Sequence, residues 1–324
     1  MAVAPTTAPF SASRRRVADR FGDTALHLLT LAAALLCIAT VGAIVWKVFD
    51  LAHPAITHNG LDFFTQTVWD PVKGHYGVLI FLYGTAVTAF VALLIATPLS
   101  IAIGLYLSEL APKGIRGVIA SLVEMLAAIP SVVLGLWGIL VLGPFMAHHV
   151  DPVLHGGLGF LPMFSGQVGA SGLSMLTAVV ILTIMIVPII SSISRELFLQ
   201  VPSELEEGAL ALGATRWEMV RGVILPSARS GIAAAMILGL GRALGEAIAV
   251  TQVIGGATKF AKSWFTPGDT LASKVAANYQ SASTRLEASS LIYLAAILLV
   301  IGLIVNVVAQ VIVRRFDPTR VKAE

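Results

Sequence analysis

The chain has 324 residues, of which 57% are hydrophobic and 12% charged, against roughly 25% charged in ordinary soluble domains. Those proportions exclude a soluble globular domain, and a mean hydropathy of +0.88 excludes a disordered chain, which combines low hydrophobicity with high charge. A net charge of +3 is too small to argue for a nucleic-acid partner, and the single cysteine, Cys37, excludes an intramolecular disulfide and a multi-cysteine metal site.

Residues 1–25 carry Arg14, Arg15, Arg16 and Arg20 ahead of an apolar run. Signal peptides share such flanks, but this run is too long for their apolar region and predicts an uncleaved first span behind a cytoplasmic tail. A helix of roughly 20 apolar residues crosses the ~30 Å hydrocarbon layer. Runs of about that length fall at 26–49, 78–107, 118–145, 173–192, 231–254 and 291–313, the first containing Cys37, expected as a small buried hydrophobe. Six spans put both termini on one side of the membrane. Of the 21 Lys and Arg residues, fourteen lie in segments on the side of the N-terminus and six on the other, with Arg242 inside a span. The positive-inside rule therefore predicts cytoplasmic termini. The outer segments 50–76, 146–172 and 255–288 are rich in Gly, Pro, Ser and Asp and read as exposed turns.

Glu124 lies early in the third run among apolar neighbours. It pairs with Arg242, pairs with a basic residue of another subunit, or reaches the cytoplasmic interface. Pro130 breaks the helix ladder of the same run and Gly135 weakens it. Backbone groups near Ser131 then line a cavity, or the segment is a packing kink. Residues 148–155 read HHVDPVLH and invite a metal reading, against which a solvated outer loop is favoured.

Residues 202–226, PSELEEGALALGATRWEMVRGVILP, predict two short helices in succession. Ser203 and Glu206 have the spacing of a capping box, Gly213 suits the left-handed position that ends a helix, Thr215 and Glu218 repeat the box, and Pro226 stops the second helix. Charged and apolar residues interleave along the pair. Such a segment docks into a partner's groove, lies on the lipid surface, or packs on the bundle.

The fifth run, GIAAAMILGLGRALGEAIAVTQVIGG, places Arg242 and Glu246 inside an apolar helix, where each charge costs roughly 2.5–3.5 kcal/mol on insertion scales. Spacing of i,i+4 puts them on one helical face, close enough for an ion pair. They neutralise each other and fix packing, or they line a polar pathway in which Arg242 attracts an anion. Gly241 and Gly245, with Gly239 and Ala243, predict the close approach of another helix.

Three segments resemble a known family. Glu207-Gly208-Ala209, three residues, Gly213, nine residues, Val223, one residue and Leu225-Pro226 is similar to the EAA loop of permease subunits in ATP-binding-cassette importers. That pattern reads E-A-A, three residues, G, nine residues, I, one residue, L-P. Gly208 replaces Ala and Val223 replaces Ile. GRALGEAIAVT resembles the corresponding span of phosphate permeases, in the form carried by one of their two permease subunits; the companion subunit tends to SRAAGET-like wording. Residues 128–136, AIPSVVLGL, resemble the IPSVVYGL stretch of phosphate permeases. Residues 98–109 look like the start of the importer core.

The resemblance implies an all-α integral membrane fold of six transmembrane helices, with the MetI-like core of a type I importer permease and a cytoplasmic coupling helix pair. It implies a tail over 1–25, a first helix and outer loop over 26–77, an importer transmembrane domain over 78–313 and a tail over 314–324. Glu207, Gly208, Ala209, Gly213, Leu225 and Pro226 would couple to the ATPase, while Arg242, Glu246, Ser131, Pro130 and Glu124 would line or gate the pathway. Its implied partners are an ATPase subunit dimer, a second permease subunit, an extracytoplasmic phosphate-binding protein and the lipid bilayer. No stretch matches the phosphate-cradling G-x-x-x-x-G-K-[ST], so ATP and Mg belong on the partner ATPase and this chain, not an enzyme, holds no cofactor. Alternatives within the same frame are another oxyanion, molybdate or sulfate, and a membrane subunit that signals phosphate status.

Overall fold

The computed structural model describes residues 12–167, 169–260 and 262–316. Residues 1–11 and 317–324 of the expected tails lie outside the described residues. Among the described residues six helical segments are long and apolar enough to cross a membrane: Gly22–Phe64, Leu79–Leu110, Ser131–Leu158, Met175–Leu199, Arg216–Gly245 and Arg285–Val313. The chain is a multi-pass, all-α membrane protein, and contacts divide it into two compact units, Met1–Asp50 and Leu51–Glu324.

Within the first unit, helix α1 (Ala12–Asn59, which runs on into the second) turns its apolar side chains outward, Leu29, Leu36 and Ile38 being 69%, 70% and 69% exposed. Thr30 and Thr40 donate their hydroxyls to the carbonyls of Leu26 and Leu36 at 2.9 and 2.8 Å, which satisfies both donors without water. Cys37 is exposed rather than buried. The residues around it present their side chains outward on every face, so an apolar run does not here mean an interior position.

In the second unit a two-stranded antiparallel ribbon, β1 (Trp69–Asp70) and β2 (His75–Tyr76), precedes α2 (Leu79–Leu105). The core lies between α2 and α7 (Met175–Leu199). Thr85, Ala89, Ala92, Ala96 and Ser100 recur at helical spacing on α2, all buried, and such small side chains let two helices approach closely. Ser100 Oγ donates to the Val187 carbonyl across the gap at 3.1 Å. At Gly104 a Cβ would stand 3.2 Å from the Arg195 backbone nitrogen.

The third span differs from its predicted position. Residues 113–127 form a separate helix, α3 (Lys113–Ala127), with Val118, Leu122 and Met125 exposed. The chain then breaks at Pro130, whose φ of −59° and ψ of 137° leave the helical region, and restarts as α4 (Ser131–Trp137). Short α5 (Gly143–Phe145) and α6 (Asp151–Leu158) continue α4 through two π-helical stretches, Gly138–Leu142 and Met146–Val150. The expected solvated loop at 148–155 is therefore helical. His149 stacks on Phe145 with centroids 5.0 Å apart, and Asp151 is fully buried. Among the described residues no three His, Cys, Asp or Glu side chains gather as a metal site.

After α7 come α8 (Ser203–Ala211), α9 (Arg216–Met219) and α10 (Leu225–Gly245), the last two joined by a π-helical stretch, Val220–Ile224. Pro226 does not stop the second helix as expected; it lies in the first turn of α10, where the wider turn before it accommodates a residue without an N–H. Short α11 (Ile248–Val253) packs on α4. There Gly135 is less a weak point than a contact, because a Cβ would meet the Gln252 side chain at 2.8 Å. Residues 255–288, expected as exposed turns, contain α12 (Leu271–Asn278), with Leu271, Ala272, Ser273 and Lys274 buried, before α13 (Arg285–Phe316).

Candidate functional site

The 202–226 segment is built by local hydrogen bonds. Gly213 has φ +88°, donates its N–H to the Leu210 carbonyl at 3.0 Å, and Ala214 donates to Ala209 at 3.2 Å. This pair of bonds closes α8 as a Schellman motif, in a conformation that a Cβ would disfavour. Two residues on, Thr215 Oγ1 accepts from the Glu218 N–H at 3.3 Å while Glu218 Oε2 accepts from the Thr215 N–H at 2.8 Å, a complete capping box. The first box does not form: Pro202 occupies the N-cap and no side chain caps α8. Proline's fixed φ starts that helix instead.

The second helix is anchored through Met219 and Ile224, which pack with Phe198, Ala228 and Ile232. The first shows its apolar side chains outward: Leu205, Leu210 and Leu212 are exposed, as is Trp217 of α9. Glu207 and Gly208 are exposed, Ala209 is half-buried against the anchoring cluster with Leu225, and Pro226 is exposed. Glu109, Glu206, Arg216 and Trp217 line a cavity of about 440 Å³ beside this pair. Burial, then Glu109 and Glu207, raises the Glu206 carboxyl above its ordinary value.

A cleft of about 780 Å³ opens between α7, α10 and α13. Arg242 and Glu246 both line it, but not as an i,i+4 pair on one helix. The helix ends at Gly245, and Glu246 takes φ −72° and ψ 113°, an extended conformation. Its Oε1 accepts from the Ala249 N–H at 3.3 Å, and no ion pair joins it to Arg242. Arg242 is exposed to the cleft and hydrogen-bonds no other described residue. The expected close helix approach is also shifted. Gly241 and Gly245 face open space, whereas a Cβ on Gly239 would meet Ile190 Cδ1 at 2.9 Å and Ala243 is buried.

Glu124, Pro130 and Ser131 do not line this cleft. Glu124 Oε1 stands 4.0 Å from Arg195 Nη1, which also reaches Glu196 Oε1 at 3.1 Å. Of the three alternatives open for Glu124, pairing with Arg242 is not formed, because Glu124 sits on α3, before the Pro130 break, beside the end of α7. Asn306 of α13 does line the cleft and donates nothing through its Oδ1, which accepts from Gln310 Nε2 at 3.3 Å. Sequence reasoning passed over it. An amide in the middle of the last apolar run was the available signal.

A second polar group was counted from sequence only as a basic residue of an outer segment, and its burial was not foreseen. Lys274 is 5% exposed, and its Nζ stands 5.6 Å from the ring centroids of Trp69 and Phe81. Burial lowers its pKa, while Asp269 and Glu287 act in the opposite sense. Burial pushes the Asp269 carboxyl up to about 6 despite Lys274. Around it, the Leu271 N–H donates to Thr85 Oγ1 at 2.9 Å, and a Cβ on Gly84 would collide with the Asp269 carbonyl. The cluster pins residues 269–274 to the start of α2.

Residues 96–320 match the model of a family described as "Binding-protein-dependent transport system inner membrane component". The chain is 41% identical over 292 residues to a phosphate transport system permease protein PstC of Xylella fastidiosa, covering 90% of each chain. It is 40% identical over 311 residues to a PstC of Mesorhizobium japonicum, covering 94% of each. Among solved structures, a chain of a bacterial ABC transporter involved in import of the acidic polysaccharide alginate superposes with a TM-score of 0.58 at 19% identity, over 90% of this chain and 98% of that one. A chain of the MetNI methionine ABC transporter gives 0.51 at 22%, over 74% and 94%. These two likenesses show the fold, that of MetI-like importer permeases.

Proposed function

The chain belongs to the binding-protein-dependent transport system inner membrane component family, among its PstC phosphate permeases, and from that premise we propose that it carries inorganic phosphate across the plasma membrane in an ATP-driven importer. The observation that carries this reading is Arg242: a guanidinium inside an apolar span, facing a cleft, with no partner among the described residues. An unpaired cation at membrane depth is costly, and an anion that visits it offsets the cost. An Arg fork matches phosphate oxygens two at a time.

In this reading the cleft closes against a second permease subunit, an extracytoplasmic phosphate-binding protein delivers the anion, and both termini lie in the cytoplasm. Segment 202–226 then faces an ATPase subunit dimer that holds ATP and Mg. The Schellman turn at Gly213 and the box at Thr215 make a rigid pair, and the exposed Leu205, Leu210, Leu212 and Trp217 supply apolar contact area. Anchored through Met219 and Ile224, the pair runs directly into α10, which carries Arg242. Motion at the ATPase thus has a continuous helical route to the cleft, Pro226 included.

The test is uptake of phosphate by the reconstituted complex carrying Arg242→Gln at normal assembly. Loss of about 100-fold in uptake, the size of a transition or binding interaction worth ~2.7 kcal/mol, is expected. Unchanged uptake would overturn the reading, and sulfate or molybdate displacing phosphate in the same assay would redirect it to another oxyanion.

A further inference from the structure

Resting on the reading of the Arg242 cleft as the phosphate pathway, the geometry points to Glu246 and Asn306 as the groups that restrict the cleft to an oxyanion carrying its own O–H. Size cannot do this sorting. Tetrahedral oxyanions differ little in radius, and a cleft of about 780 Å³ is far larger than any of them. Selection has to come from hydrogen-bond polarity.

The break at Gly245 supplies that polarity. Had α10 continued, Glu246 would lie one turn from Arg242 and the two charges would cancel. Instead Glu246 leaves the helix, and its only bond to another described residue is the 3.3 Å contact from the Ala249 N–H to Oε1. A carboxylate is acceptor-only, with about four lone-pair sites, so Oε2 and part of Oε1 have no partner among the described residues while the residue lines the cleft. Arg242 is donor-only and equally unengaged. The cleft therefore presents one unpaired donor fork and one unpaired acceptor within a single space.

Asn306 adds a donor from the opposite helix. Its Oδ1 is occupied by Gln310 Nε2, which leaves the Nδ2 amino group as its free end. Between these walls Gly241, Gly245 and Gly302 have nothing within 4 Å of the position a Cβ would take, so no neighbouring helix fills the space beside them. A monohydrogen or dihydrogen phosphate satisfies the set: bare oxygens accept from Arg242 and Asn306, and its hydroxyl donates to Glu246. Sulfate near neutral pH has no hydroxyl. It would set a bare oxygen against a carboxylate, two acceptors with no proton between them, and the desolvated pair repels.

The experiment is equilibrium binding of radiolabelled inorganic phosphate to the purified permease–ATPase complex in nanodiscs, without the extracytoplasmic binding protein, competed with arsenate and with sulfate. Arsenate, which keeps a hydroxyl, should displace phosphate at similar concentration, and sulfate should need about 100-fold more. Glu246→Gln offers an amide donor and should narrow that gap below about 5-fold, Glu246→Asp should keep it, and Asn306→Ala should weaken phosphate and sulfate alike by about 5–10-fold. Sulfate competing as well as arsenate in the unmodified complex, or a gap unchanged in Glu246→Gln, overturns the inference. Arg242→Gln separates the two levels. If it abolishes phosphate binding while Glu246→Gln leaves the gap intact, only the proton-reading role fails; if it binds phosphate normally, or the unmodified complex binds none, the pathway reading falls with it.

Discussion

The chain reverses or breaks a helix at two places a short distance apart in sequence, and the two are finished in opposite ways. At 211–218 the turn is closed by several local bonds: two carbonyls at the end of the first helix accept from Gly213 and Ala214, and the next helix opens on a reciprocal Thr215–Glu218 box. At 245–249 the helix simply stops, Glu246 makes one bond to the backbone, and Arg242, which lines the same cleft, makes none to another described residue. A turn closed by such local bonds resists bending and can transmit force. An unsatisfied one is a place where something else supplies the missing partners. On the proposed function, lever and site would thus differ in how far their backbone is closed by local hydrogen bonds, although both are Gly-containing interruptions of a helix.

The sharpest way to break the lever is at Gly213. With φ +88°, a β-branched residue is forced into the left-handed region at a cost of about 1–3 kcal/mol. Gly213→Val should therefore uncouple the importer, with phosphate-dependent ATP hydrolysis by the assembled complex falling several-fold. Gly213→Asn, which tolerates that region, should retain most of it. Equal activity of the two variants would mean that the turn is not held in this conformation during coupling.

A third region, residues 269–274, tests whether completeness or burial controls stability. Burial pushes the Asp269 carboxyl from the ordinary carboxylate range up to about 6, so the folded state binds its proton more tightly than the unfolded state. The stabilisation from that proton is full below about pH 4 and is lost as pH rises through about 6. A shift of this size corresponds to roughly 2 kcal/mol after allowance for water penetration. Lys274 acts against this rise in Asp269, and Glu287 acts on Lys274 in the same sense as Asp269 does. The protection of the α12 amides, taken relative to their intrinsic exchange rates at each pH, should fall between pH 4 and 7 in the natural chain and change much less in Asp269→Asn. A slope that survives in Asp269→Asn assigns the effect to another group.

How far this was legible from sequence follows the same division. Gly213 and the Thr215–Glu218 box were readable because their partners lie within three residues. The six spans were readable because about 20 apolar residues in a row have few alternatives. The true shape of the third span was not, since the exposed apolar residues of α3 extend the run without entering the span, and only Pro130 marks the division. Nor was the passage through Pro226, because a π-helical stretch has no composition of its own. Lys274 looked like a loop lysine; its burial depends on Trp69 and Phe81, about 200 residues earlier in the chain. The Arg242–Glu246 spacing was misleading for a related reason: i,i+4 proximity presumes a helix that in fact ends at the intervening Gly245.

Helix packing beside the cleft offers a smaller contrast. Gly239 and Gly241 are two residues apart, yet a Cβ on the first would meet Ile190 at 2.9 Å and on the second would meet nothing within 4 Å. Gly239→Ala should cost about 1–2 kcal/mol, as mild overpacking does. Gly241→Ala should be neutral or raise stability by up to about 1 kcal/mol through helix propensity, which thermal unfolding of the purified complex would read. If Gly241→Ala leaves stability intact and still lowers phosphate uptake, the open space beside it belongs to the pathway and not to packing.

The smallest expected effect lies in the cap itself. Thr215→Ala removes the hydroxyl that accepts from the Glu218 N–H at 3.3 Å and the partner that donates to Glu218 Oε2 at 2.8 Å. Losing an N-cap of this kind costs about 1 kcal/mol, and Thr215→Ser should recover most of it. The backbone N–H of Thr215 still donates to Glu218 Oε2 at 2.8 Å, so half of the reciprocal box survives and α9 should loosen at its first turn without unfolding. Because Met219 and Ile224 anchor the helix independently, ATP hydrolysis should fall less in Thr215→Ala than in Gly213→Val. The reverse ranking would place the rigidity of the lever in the cap of the second helix and not in the turn that closes the first.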